Sequence, residues 1–124
     1  MGQAIPALVL LATSIVGAQG RIAPPAFVTC DRNELTSYTG RVTVLERGKD
    51  STRLVIETDE STTERVVIRH PADDLLATFH RQGKDFTDDD LAQLLPSGRL
   101  RADARATVWV CATAAVRPQV DWKF

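Results

Sequence analysis

The chain has 124 residues, with 15 Lys and Arg against 16 Asp and Glu and a formal net charge of −1 at neutral pH. That length allows one domain with its own core, and the charge balance excludes a general attraction to nucleic acid or anionic lipid. Twelve of the basic residues are Arg and three are Lys, so local sites for carboxylates or other planar anions remain open.

The first twenty residues carry no charged side chain, and the first charge is Arg21. An apolar run, Ala4 to Val16, leads into the small residues Gly17 and Ala18, which is the pattern of a secretory signal peptide cleaved after Ala18. The run is short for a membrane span, which takes about 20 apolar residues. Only the α-amino group of Met1 supplies the positive charge that usually opens such a segment. Residues 1–18 are therefore expected to be removed, leaving no stable membrane span and a periplasmic or secreted protein. Residues 19–34 are expected to form an N-terminal extension carrying Cys30, held extended around Pro24 and Pro25. Residues 35–124 are expected to form the single domain. The only cysteines are Cys30 and Cys111. An even count, an export signal and the lack of a C-x-x-C pair favour a structural disulfide over two free thiols or a redox centre.

Regular structure is expected from Leu35. Tyr38, Gly40, Val42 and Val44 alternate with Thr39, Arg41, Thr43 and Leu45, the periodicity of a strand. Residues 47–51 make a turn, Arg53 to Thr58 a second strand, residues 59–61 another turn, and Thr63 to His70 a third strand stopped by Pro71. Three strands joined by two short turns form an antiparallel meander. Val42, Val44, Leu54, Ile56, Val66 and Ile68 would face the core. Arg41, Thr43, Arg47, Arg53, Val55, Glu57, Arg65, Val67 and Arg69 would face outward, with Arg41 opposite Glu57 and Arg65 close to it on the far side.

Ala72 to Arg81 reads either as a short helix, with Leu75, Leu76 and Phe79 on one face, or as a strand at Phe79–Arg81 entering a turn at Gln82-Gly83. A helix follows that is better marked. Thr87 caps it, Asp90 completes a capping box, Leu91, Leu94 and Leu95 face the core, and Pro96-Ser97-Gly98 ends it. Arg105 to Ala112 and Val116 to Trp122 read as the last two strands.

Three strands, a helical insertion and two strands is the element order of an OB-fold, a five-stranded Greek-key barrel. Gly40 stands where a barrel strand kinks. The segment Leu54 to Asp59 resembles the second strand running into its acidic turn, and Gly98 to Val110 resembles the turn and valine-rich fourth strand. Together with the apolar leader, residues 35–122 resemble small exported bacterial OB-fold proteins. The resemblance implies a mainly β fold with a short helical insertion between strands three and four. The cysteine pair and the length of the insertion depart from that outline, and a small β-sandwich or open roll of the same strands is the alternative.

The chemistry-bearing residues are few. Arg41, Arg47, Arg53, Arg65 and Arg69 on one sheet face form an asymmetric basic surface, the candidate ligand-binding platform. The bland alternative is a solvated face of cross-strand Arg–Glu pairs, each worth a fraction of a kcal/mol. The aromatics Tyr38, Phe79, Phe86, Trp109 and Trp122 suit a core more than a stacking platform, with Trp109 packing beside the disulfide. His70, Asp73, Asp74 and His80 match no metal-ligand spacing, and Asp88-Asp89-Asp90 lacks the alternating ligands of a calcium loop. No nucleophile elbow, zinc-protease helix, P-loop or dinucleotide motif is present in the sequence. The expectation is a non-enzymatic exported domain without cofactor or metal. Its expected partner is an envelope protein, peptide or glycan, with nucleic acid disfavoured. An anionic ligand on the arginine face is the first expectation, and a structural or stress-related envelope role through protein–protein contact is the second.

Overall fold

The computed structural model describes residues 23–71, 75–113 and 115–124. The expected signal peptide, residues 1–18, lies outside them, as do Asp73 and Asp74. Seven strands form one mixed sheet: β1 Leu35–Arg47, β2 Ser51–Thr58, β3 Thr63–Arg69, β4 Phe79–Arg81, β5 Lys84–Asp85, β6 Arg105–Cys111 and β7 Gln119–Lys123. The order across the sheet is β3-β2-β1-β6-β7-β4-β5. The sheet is open, so the expectation of a closed five-stranded barrel is corrected in both strand number and closure. The mainly β class, the three-strand meander and the last two strands stand as expected.

β1 organises the molecule. Its N-terminal half pairs with β6 and its C-terminal half with β2, so one long strand bridges the meander and the C-terminal strands. The two pairings overlap at Gly40, which is paired with both Thr58 and Ala106. A Cβ built there would sit 2.0 Å from the Glu57 carbonyl oxygen. Only glycine admits this approach of β1 to β2.

Just beyond, the register shifts between Val42 and Val44, leaving Thr43 as the extra residue of a β-bulge. One inserted residue reverses the alternation that follows. Val44, expected inward, lies opposite Val55 on the outer face, and Leu45 takes the core side opposite Leu54.

The inner face curls around a single core. Leu54, Ile56, Val66 and Ile68 of β2 and β3 share it with Val108, Val120 and Trp122 of β6 and β7. Phe79 stands edge-to-face against Phe86 and Trp122, with centroids 5.4 and 5.3 Å apart. Such pairs add about 1 kcal/mol each beyond the area they bury.

The ambiguous middle segment resolves as a short 3-10 turn, Leu75–Thr78, running into β4. β4 pairs in parallel with β7 and then turns through Gln82 and Gly83 into β5. Both turn residues have positive φ, 51° and 83°, the pattern of a tight hairpin turn with glycine at its second position. The helix α1 spans Asp88–Leu94 with Thr87 as its cap and the reciprocal Thr87–Asp90 box complete. Leu94 is fully buried, while Leu91 and Leu95 pack at the edge of the core. No helix among the described residues is long and apolar enough to cross a membrane.

Candidate functional site

The outer face of the meander sorts the five candidate arginines into three groups. Arg41 lies directly opposite Glu57 and donates to its carboxylate at 3.2 Å, as the register argument expects. Arg53 lies opposite Glu46 and donates from Nε to the same carboxylate oxygen that its Nη2 contacts, the Nε distance being 2.7 Å. Both pairs are about half exposed, so each contributes at most a fraction of a kcal/mol and chiefly cancels charge.

Arg47 leaves the platform. The bulge at Thr43 puts it opposite Thr52, on the core side of the strand, where it ends β1 in solvent. The five-residue platform is therefore corrected to four, two of them ion-paired.

Arg65 and Arg69 remain. They stand on β3, the edge strand of the sheet, and Val67 lies between them on the same face. Arg65 is opposite Val55, one step along from Glu57, and among the described residues neither it nor Arg69 engages an ion pair or side-chain hydrogen bond. Val67 is 49% exposed, the one large hydrophobic side chain so exposed among the described residues. Val67 and Arg69 also line a groove of about 260 Å³ with Cys111, Val116, Arg117 and Pro118. Two free guanidinium groups, one exposed valine and an adjoining half-apolar groove thus share one edge.

Further along the outer face, the N-terminal segment forms a strap. Cys30 is bonded to Cys111 at the end of β6, with their Cα atoms 6.1 Å apart. Phe27 stacks on the His80 ring at 3.6 Å, nearly parallel. His80 Nε2 in turn meets Gln119 Oε1 at 2.8 Å, and Gln119 is the β7 partner of Trp109. Trp109 shares the outer face with Cys111 and is 6% exposed, so it is buried as expected. Tyr38, Phe79, Phe86 and Trp122 belong to or pack on the core.

Both histidines have partners within the fold. His70 is buried, with Nε2 at 2.8 Å from the buried Thr52 hydroxyl and Nδ1 at 2.7 Å from the Pro71 carbonyl. The carbonyl can only accept, so Nδ1–H donates to it. His80 is committed to Phe27 and Gln119. Among the described residues, no group of three or more His, Cys, Asp or Glu side chains could hold a metal ion.

Asp90 sits in a cluster of charged and polar side chains. Its carboxyl is held below the ordinary carboxylate range, first by the Thr87 backbone N–H and then by Arg81. Arg81 donates to Asp90 and Gln93, each at 2.9 Å, and to the Phe124 carbonyl at 3.0 Å, with its guanidinium 4.0 Å over the Phe124 ring. This hub ties β4, α1 and the residue after β7 together. Asp103 is likewise lowered by its hydrogen bonds from Arg101. Asp88 and Asp89 occupy the first turn of α1, where the helix dipole favours negative charge.

Sequence reasoning missed two ion pairs of this face, Arg53–Glu46, which the bulge brings into register, and a second that comes from another strand. Arg105 of β6 donates to Asp59 at 2.6 Å, pinning the β2–β3 turn over β1 and β6. The acidic turn itself is visible in the sequence, but its partner comes from a strand whose register against β1 is set by a long crossover. No family model matches the chain, and neither a curated protein nor a solved structure matches it.

Proposed function

We propose that this protein is a non-catalytic, exported binding domain that engages an acidic segment of an envelope protein along the β3 edge. The observation that carries the reading is the row Arg65, Val67 and Arg69, which has two unpartnered cations flanking the exposed apolar side chain. β3 ends the sheet order, so no strand among the described residues pairs with its outer edge. An extended acidic segment added there would gain main-chain hydrogen bonds and charge-assisted side-chain bonds together. Its apolar side chain would enter the groove beside Val67. Export is supported by the uncharged apolar leader and by the paired cysteines, which persist in oxidising compartments.

An acidic peptide with one central apolar residue, labelled and titrated by fluorescence anisotropy, tests this. Arg65→Glu and Arg69→Glu should each weaken binding at least about tenfold, because each removes a charge-assisted bond and adds repulsion. Binding should also weaken as salt rises. Both side chains are exposed, so the circular dichroism spectrum should stay that of the parent. Equal affinity of the parent and the double reversal would overturn the reading.

A further inference from the structure

A second concavity lies on the outer face away from β3. Its floor is Ser37 and Thr39 of β1 with Thr107 of β6, and Thr39 and Thr107 share a hydroxyl–hydroxyl hydrogen bond of 3.0 Å. One part, about 810 Å³, is walled by Pro24 of the strap and by Arg32, Asp59 and Glu60. The other, about 460 Å³, shares Thr39 and Thr107 and continues past Arg105 to Asp121 and Lys123. Each volume is within the range of small-molecule sites.

The chemistry of the lining is specific in one respect. Its three basic side chains, Arg32, Arg105 and Lys123, are matched by three acidic ones, Asp59, Glu60 and Asp121. Arg105 and Asp59 already neutralise each other. A strongly charged ligand gains nothing net from such a groove. A neutral ligand rich in hydroxyl groups does, since it can donate to the carboxylates, accept from the guanidinium groups and exchange bonds with the threonines. A second, independent observation points the same way. Trp109 lines the first part and Trp122 the second; both are buried, and neither indole N–H has a hydrogen-bond partner among the described residues. Buried indole donors are normally satisfied, and an orphan beside a polar cavity marks where an acceptor belongs.

We propose that this groove binds a short neutral saccharide, with Thr39, Thr107 and Asp59 bonding its hydroxyl groups and the strap beside Trp109 shifting to admit a sugar oxygen. The site is separate from the β3 edge and does not depend on the reading given to that edge. The probes are cellotriose, chitotriose and maltotriose, with trigalacturonate as the anionic counterpart, titrated into the full disulfide-bonded chain labelled with nitrogen-15. At least one neutral trisaccharide should shift the Trp109 indole and Thr107 amide resonances saturably, while the amide of Leu94, buried in the core away from the groove, stays still. Thr39→Val with Thr107→Val should weaken that binding about tenfold or more, because it removes both hydroxyls without leaving either one orphaned. Valine keeps the β-branched shape, so the strands are retained. Arg65→Glu with Arg69→Glu should leave the sugar titration unchanged, which separates this site from the β3 edge. The proposal is overturned if no neutral trisaccharide shifts these resonances up to about 10 mM, a concentration that would reveal even millimolar affinity. It is also overturned if the double valine variant binds as the parent does, or if only trigalacturonate binds.

Discussion

Asp90 shows how much one side chain can be asked to do. It closes the capping box of α1 and receives Arg81, which reaches on to Phe124. Both contacts favour the carboxylate, so its folded-state pKa lies below the ordinary value of 3.8. A carboxyl lowered on folding contributes stability that is present above the unfolded value and lost as pH falls through the folded one. Thermal unfolding followed from about pH 7 down to about pH 2 should therefore show a steep acid limb below about pH 4, shallower in Asp90→Asn. Identical limbs in the two proteins would mean that the box and the Arg81 bond do not persist in solution. The capping box was readable directly from Thr87 and Asp90 because it is written in four consecutive residues. Arg81 was not readable as the partner, since its hairpin reaches α1 only through the parallel pairing of β4 with β7.

The strands that were legible are those whose pairing is local. β1, β2 and β3 follow one another through short turns, and alternation alone places Val42, Leu54, Ile56, Val66 and Ile68 in the core. Gly40 was also legible as a special position in β1, and the structure shows that it admits the close approach of β2. Gly40→Ala would force a methyl group against the backbone of Glu57 and Thr58. Backbone atoms cannot yield as a flexible side chain can, so the substitution should cost several kcal/mol, measurable as a fall in the urea midpoint. A midpoint within the error of the parent would show that β1 and β2 separate easily at this point. The bulge one turn of the alternation later was not legible. Thr43 is β-branched and extended like its neighbours, and nothing in its identity marks it as the extra residue. That single residue moved Val44 outward and took Arg47 off the arginine face. β4 and β5 were equally obscure, because strands of three and two residues carry too little pattern to fix a period. The floor of the second groove escaped for a different reason: Thr39 and Thr107 meet only through the register of β1 against β6, across 68 residues of chain.

At the scale of the whole molecule, one covalent bond joins the strap to the sheet. The Cys30–Cys111 bridge spans a sequence separation of 81 residues. A loop of that length is worth about 4–5 kcal/mol by chain entropy, comparable to the full stability of a marginal domain. Reduction, or Cys30→Ser with Cys111→Ser, should lower the free energy of unfolding by an amount approaching that figure. Unchanged stability on reduction would contradict it. The strap also carries Phe27 onto His80 and walls the saccharide groove through Pro24, so the reduced protein should lose the groove's ordered edge as well. The molecule then presents two faces of different character. One is a basic edge with an exposed valine, and the other is a charge-balanced groove floored by hydroxyl groups. Amide hydrogen exchange across β3, with and without the acidic peptide, reads the basic edge. Added strand pairing should slow exchange within Thr63–Arg69 while α1 is unaffected, and Arg65→Glu with Arg69→Glu should abolish the change. Binding that leaves β3 exchange untouched, or protects another surface instead, would contradict the account.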